Sequence, residues 1–312
     1  MESFSPPGSS VPWSRIALGC WQIAPSDGWG KGPPPEQAEA AVRQALDCSI
    51  TTFDTAEGYG DGESERRLGK ALGAKKNDVA IISKIWPDAE LAYPAFLARL
   101  DQTLANLNRD YVDLYLFHFP AGRLAGKKEN EFFCDIMGRL QATGKARLVG
   151  LSNFEATDLQ KLGAPTGLFS FNEVPYNLLE REYEGENLKA SRGHGMEYVA
   201  YSPLAQGLLT GRFGKETPIT DRVRKNNGLY SEPKFSKALK TVETLREVAH
   251  QAGATVAQVA LAWTLAQPNI AVAIVGSTKP EQIKEAASAG ELKLREEQLK
   301  KLTKASDAFA KK

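Results

Sequence analysis

The sequence predicts an α/β fold, a (β/α)8 TIM barrel with accessory helices, built as one domain over residues 1–312. Three observations predict it. Short β-rich runs alternate with longer amphipathic segments, the pattern of βα units around a parallel sheet. Eight such runs occur, the number that closes a barrel. A chain of 312 residues with 42% hydrophobic content is also long enough to bury the core such a barrel needs.

The candidate strands, in order, are Ile16–Leu18, Thr51–Asp54, Val79–Lys84, Leu114–His118, Ala146–Leu151, Ser170–Val174, Glu197–Tyr201 and Ala271–Val275. Apolar residues recur at helical spacing over Glu36–Cys48, Ser64–Leu72, Tyr93–Asn106, Asn130–Thr143 and Val256–Ala266, and most of them are expected in the core. After Tyr201 a segment rich in charge, proline and glycine runs to about Pro233, and a loop of that length inside a compact domain is functional or mobile. Lys237–Gln251 reads as an accessory helix outside the repeat, and Arg295–Phe309 as a closing helix.

Composition excludes several classes. The formal net charge is +1 and the basic residues are scattered, so no stripe favours nucleic acid and no polybasic patch favours a membrane. No apolar run approaches the roughly 20 residues that span a bilayer, and polar, Pro/Ser-rich Met1 to Ser10 is unlike a signal peptide, so a cytoplasmic location is expected. Cys20, Cys48 and Cys134 show no CxxC spacing, which argues against a disulfide framework, a zinc site or any other metal. A small-molecule partner is left.

Four polar residues stand at or just past strand ends: Asp54, Tyr59, Lys84 and His118. In a (β/α)8 barrel the strand ends converge on one mouth, where the chemistry sits. Together they form a proton-delivery device. Tyrosine is a weak acid, with a pKa of about 10, and a nearby ammonium such as that of Lys84 is expected to lower it. Asp54 would keep the lysine charged, and His118 would orient a substrate oxygen or relay a proton. The glycine-flanked turn Gly58-Tyr59-Gly60-Asp61-Gly62 gives Tyr59 an unusual backbone placement. No G-x-G-x-x-G follows a strand and no G-x-x-x-x-G-K-[ST] occurs, so neither common nucleotide signature is present.

The segment Phe53-Asp54-Thr55-Ala56-Glu57-Gly58-Tyr59-Gly60, then Ser83-Lys84, then Leu116-Phe117-His118 resembles the aldo-keto reductase superfamily in order, spacing and strand context, and the likeness extends from about Ile16 to Ala289. The resemblance implies a nicotinamide cofactor bound without a Rossmann domain, with Tyr59 as general acid in reduction and as base in the reverse oxidation. It also implies the cofactor contacts. Ser152 and Asn153 would hold the carboxamide, Tyr201 would stack on the ring, and Cys20, Trp21 and Asp54 would lie near it. Ser202, Pro203, Leu204, Gln206 and Gly207 would wrap the pyrophosphate, with Arg212 and Arg224 as charged partners. Gly276, Ser277, Thr278, Lys279 and Gln282 open a helix whose N-terminus suits a 2′-phosphate, which favours NADP(H), with NAD(H) as the alternative. Two positions depart from the family pattern. Glu173 replaces a glutamine that contacts the carboxamide, and Ala286 replaces an asparagine at the adenine, while Glu285 beside it is retained.

Trp21, Trp29, Trp86 and Phe119, with Tyr59 and His118, are expected to wall the substrate pocket. Without a basic cluster there, the expected substrates are neutral aldehydes or ketones. The leading expectation is a reductase of a carbonyl. The alternatives are an NAD(P)-dependent sugar or alcohol dehydrogenase, a cofactor-binding regulatory module resembling potassium channel β subunits, and a barrel without redox activity.

Overall fold

The computed structural model of the chain describes residues 1–25, 29–120 and 126–311. A short antiparallel hairpin, β1 (Ser3–Phe4) and β2 (Trp13–Ser14), precedes eight parallel strands. These are β3 (Ile16–Gly19), β4 (Thr52–Asp54), β5 (Ala80–Ile85), β6 (Val112–Phe117), β7 (Ala146–Ser152), β8 (Phe171–Pro175), β9 (Glu197–Tyr201) and β10 (Ile270–Gly276). Each bonds to the next in chain order and β10 closes onto β3, so the eight predicted strands are the staves of a closed barrel. Their ends shift from the expected ones by no more than two residues, as strand ends do when hydrogen bonding and not hydropathy decides them.

Outside the barrel lie α1 (Pro35–Asp47), α2 (Glu63–Leu72), α3 (Tyr93–Leu107), α4 (Lys127–Ala142), α5 (Ala156–Leu162) and α6 (Glu186–Gly193). The β9 to β10 connection holds α7 (Arg222–Lys225), α8 (Lys234–Ala252) and α9 (Val256–Leu265); α10 (Pro280–Ala289) and α11 (Glu296–Ala310) follow β10. Helices α5 and α6 are short and their apolar periodicity is weak, so hydropathy alone does not announce them. No helix among the described residues is long and apolar enough to cross a membrane.

Strand alternation divides the core in two. Ala17, Ala80, Ile82, Leu114, Leu116, Phe171, Val199, Val272 and Ile274 point inward and pack together. Phe53, Ile81, Ile85, Tyr115, Phe117, Val149 and Leu151 point outward into a second layer beneath the helices. Gly150 faces inward where a Cβ would meet Leu116 Cδ2 at 2.6 Å and the Phe171 carbonyl oxygen at 2.7 Å, so the interior is full at that level.

The polar N-terminal stretch is not a free tail. The β1–β2 hairpin brings Trp13, fully buried, beneath the N-terminal ends of the strands, where its ring stacks on Phe171 with centroids 5.4 Å apart. Its indole N–H donates to Ser9 Oγ at 2.8 Å. One aromatic side chain thereby closes the bottom of the barrel.

Candidate active site

The same alternation that fills the barrel builds its upper layer. Lys84 lies two residues beyond inward-facing Ile82, His118 two beyond Leu116, Ser152 two beyond Gly150, Glu173 two beyond Phe171 and Tyr201 two beyond Val199. Asp54 ends β4 beside them. Six of the eight strands, β4 to β9, therefore contribute a polar residue at the C-terminal end to one level of the mouth.

Lys84 is fully buried at the centre of that level. Its ammonium donates to Asp54 Oδ1 and, at 2.9 Å, to the Thr55 carbonyl, and lies 3.4 Å from Glu173 Oε1. It also lies 5.2 Å from the centre of the Tyr59 ring. Burial alone would strip its proton, but Asp54, Glu173 and Tyr59 together hold its pKa above the ordinary lysine value. The surrounding groups thus favour the ammonium form.

Tyr59 departs from the sequence expectation. Burial pushes its hydroxyl above the ordinary tyrosine value, Lys84 pulls the other way, and the Asp54 and Glu173 charges add to the rise. The net direction is upward, because burial outweighs the pull of the one ammonium. His118 is held neutral, its pKa lowered to about 2 by burial and by repulsion from Lys84. Its Nδ1 is buried without a hydrogen-bond partner, and its ring centroid is 5.7 Å from that of Tyr59.

Local backbone puts Tyr59 in place. Gly60 has φ +63°, and a Cβ there would meet the Pro25 carbonyl oxygen at 2.7 Å, so only glycine lets the turn lie this close to the β3–α1 loop. Glu57 on the same turn accepts from the Trp86 backbone N–H and from Arg99 Nε at 2.8 Å, which anchors Trp86.

A cavity of about 710 Å³ opens above Tyr59. Trp21, Trp29, Trp86 and Phe119 line it with Tyr59 and His118. Trp86 meets His118 edge to face at 5.1 Å and Phe119 at 5.5 Å, while Trp21 stacks on Tyr59 at 6.0 Å. The cavity continues past Ser152, Asn153, Glu173 and Tyr201 along Ser202, Pro203, Leu204, Gln206 and Gly207 to Gly276, Ser277, Gln282 and Glu285.

Cys20, Thr278 and Lys279 lie off the cavity wall, whereas Arg212 and Arg224 reach it. Cys20 is buried against the Leu18 carbonyl oxygen, outside the cavity wall. Thr278 and Lys279 lie beyond the wall, near the start of α10, with Lys279 exposed. Arg224 reaches the cavity but is already engaged. It pairs with Asp221 at 2.6 Å, donates to the Gln206 carbonyl at 2.8 Å, and its guanidinium lies 5.1 Å from both the Trp29 and Phe213 rings. Arg212 lines the same cavity and has no ion-pair partner among the described residues.

The family model for the aldo/keto reductase family matches residues 15–307. The chain belongs to the aldo/keto reductase family. This aldo/keto reductase is 33% identical to aldo-keto reductase YhdN of Bacillus subtilis over 294 residues, covering 91% of this chain and 87% of that protein. Its fold is similar to that of a glycerol dehydrogenase from Gluconobacter oxydans, with a TM-score of 0.85, 27% identity, and 97% and 94% of the two chains covered. It is also similar to an aldo/keto reductase from Klebsiella pneumoniae solved with NADP and acetate, with a TM-score of 0.74, 28% identity, and 94% and 91% covered.

Several cavity residues of this aldo/keto reductase carry no clear sequence signal. Gln22 could have been found, since it follows Trp21 at a strand end. Thr210, Phe213 and Thr217 sit in the long loop after β9, where length announces function but not which residues. Leu261 belongs to the apolar face of α9 and is indistinguishable from core by periodicity. The contact of Glu173 with Lys84 joins residues of β8 and β5, and only the closed barrel brings them together.

Proposed function

We propose that this chain is a cytoplasmic oxidoreductase that reduces a neutral aldehyde or ketone to an alcohol, preferring NADP(H) over NAD(H), with Tyr59 as the proton donor. One observation carries the reading: Lys84, bonded to Asp54, stands 5.2 Å from the Tyr59 ring beneath an aromatic-walled cavity. Three free cysteines agree with a reducing compartment.

The residues present fit a nicotinamide dinucleotide. A single cavity runs from Tyr59 to Glu285, and its ends have the two characters required. Near Tyr59 stand hydrogen-bonding Ser152 and Asn153, the buried and unpartnered Oε2 of Glu173, and the Tyr201 ring. At the far end, α10 begins at Pro280 without a side-chain cap on its first turn, and Arg212 on the cavity wall, with no ion-pair partner among the described residues, would suit a phosphate. Ser277, Thr278 and Lys279 at that end support the NADP(H) preference. When bound, the cofactor supplies the hydride that no side chain can provide.

The chain's own residues handle the proton. Tyr59 stays protonated at neutral pH and gives its hydrogen to the substrate oxygen as negative charge develops there. Lys84 stabilises the phenolate left behind, and Asp54 holds Lys84 in place. Neutral His118 offers an N–H to orient the same oxygen, and the tryptophans exclude water. The same groups acting in reverse oxidise an alcohol, and the likeness to the glycerol dehydrogenase makes that the second reading.

The test is a fluorescence titration with NADPH and NADH in parallel, followed by an aromatic aldehyde in the same cuvette. Tight NADPH binding with oxidation on aldehyde addition supports the reductase. Binding without oxidation by any aldehyde turns the search to alcohols or to a cofactor-sensing module. Failure to bind either nucleotide overturns the proposal.

A further inference from the structure

Two carboxyl groups meet one ammonium at the centre of the barrel mouth. Asp54, Lys84 and Glu173 are each at most 4% exposed. If all three ionise, the site holds an uncompensated negative charge out of water, which is costly. Lys84 has three N–H donors. Two are committed to Asp54 Oδ1 and the Thr55 carbonyl, and the contact to Glu173 Oε1 is the long one at 3.4 Å. Glu173 Oε2 meets no hydrogen-bond donor among the described residues. A lone carboxylate oxygen in that position is uncompensated, whereas a protonated carboxyl reduces the charge of the site to zero and restores a hydrogen-bond donor.

The geometry points to Glu173 as a proton-holding residue: it and Asp54 share one proton beside Lys84, and the cofactor binds to the form in which Glu173 is neutral. The two carboxyl groups lie within hydrogen-bonding reach of each other, and burial, then the charge of Asp54, raises Glu173 well above the usual carboxylate range. The groups facing it come from every neighbouring element: Asp54 from β4, with Cys20 behind it after β3, Lys84 from β5, Tyr59 from the turn before α2, and Tyr201 from β9. From β7 come only Ser152 and Asn153, which do not titrate. Both bond to the backbone carbonyl of Glu173, at 3.1 and 2.9 Å, which sets Glu173 beside the residues expected to hold the nicotinamide carboxamide.

The consequence is a proton-linked cofactor site. As pH rises and Glu173 ionises, the donor is lost and a second negative charge faces Tyr59, so the cofactor grip weakens and the phenol becomes a poorer acid. Glutamine cannot ionise and removes the linkage. The cofactor half of this inference rests on the function proposed above; the proton itself does not.

The first measurement is infrared difference spectroscopy of the cofactor-free protein against Glu173→Gln, followed through a pH titration. The wild type should show a protonated-carboxyl band at neutral pH that Glu173→Gln lacks. Buried Glu65 contributes equally to both proteins and cancels. In Asp54→Asn the band should also vanish at neutral pH, because Glu173 then has Lys84 to itself and ionises. A wild type without the band, or a band that survives in Glu173→Gln, overturns the proposal. In the second measurement, the wild-type NADPH dissociation constant should rise about tenfold per pH unit above the Glu173 transition, while that of Glu173→Gln stays flat. Identical profiles would overturn the linkage, whereas absence of NADPH binding at every pH would overturn the proposed function and leave the infrared result standing.

Discussion

The Tyr201 hydroxyl donates to the side-chain oxygen of Asn153 at 2.9 Å, tying the end of β9 to the residue just past β7. Asn153, in turn, donates through Nδ2 to the His118 carbonyl at 3.1 Å and to Ser152 Oγ at 2.9 Å. It does so from φ +64°, a left-handed conformation that asparagine tolerates better than most residues. The aromatic platform, the amide and the histidine strand end are therefore one hydrogen-bonded unit.

Tyr201→Phe keeps the ring and cuts that link. The loss of one hydrogen bond of about 1 kcal/mol should raise the NADPH dissociation constant roughly fivefold. Fluorescence titration measures it. An unchanged value would mean that Asn153 is held well enough by its other contacts.

Tyr59→Phe should leave NADPH binding almost unchanged and reduce aldehyde turnover on the order of 100-fold or more, the usual scale of a lost general acid. Steady-state kinetics beside a binding titration separates the two effects. Full activity would show that another group delivers the proton.

Lys279 is exposed at the start of α10 and has no ion-pair partner among the described residues. Lys279→Ala should weaken NADPH about tenfold, as expected for a hydrogen bond to a charged group, and weaken NADH little. Equal losses for the two nucleotides would remove the 2′-phosphate assignment.

Trp13→Ala empties the bottom of the barrel and breaks the stacking on Phe171. Large-to-small changes of a buried tryptophan cost about 3–5 kcal/mol, and chemical denaturation should show a loss of that size. NADPH affinity of the folded protein should persist, because the hairpin lies at the end of the barrel away from the mouth.

His118 sets a pH dependence with a definite sign. Its pKa falls from 6.5 to about 2 on folding, so in that window the unfolded chain binds a proton that the native protein does not. Stability contributed by the neutral imidazole is complete above 6.5 and declines as pH falls, by up to about 1.4 kcal/mol per pH unit. His118→Asn should flatten that slope in denaturation curves collected at several acidic pH values. An unchanged slope would assign the acid sensitivity to other groups.

Much of the molecule was legible before folding. Eight short β-rich runs spaced by amphipathic segments imply the barrel, because a strand needs period two and a helix period 3.6 and few sequences satisfy both by accident. Asp54, Lys84 and His118 were visible as polar residues ending apolar strands, and Tyr59 as a ring set between glycines. Trp21, Trp86 and Phe119 in the aromatic wall followed from the same strand-end rule, and Trp29 from its place in the first long loop.

Only the tertiary structure decided how charges and contacts are shared across strands. Glu173 appears in the sequence as one altered residue on β8; closure of the barrel places it against Lys84 and Asp54, and burial in the same mouth reverses the expected direction for Tyr59. Arg212 and Arg224 are equivalent basic residues in the chain, yet folding pairs Arg224 with Asp221 and gives Arg212 no ion-pair partner among the described residues. Trp13 lies in a polar N-terminal stretch and becomes the floor of the barrel. Local pattern determines which face of an element is buried, because that depends on neighbours two to four residues away. The electrostatics of a buried site depend on distances between residues that are remote in sequence, and those distances exist only once the barrel has closed.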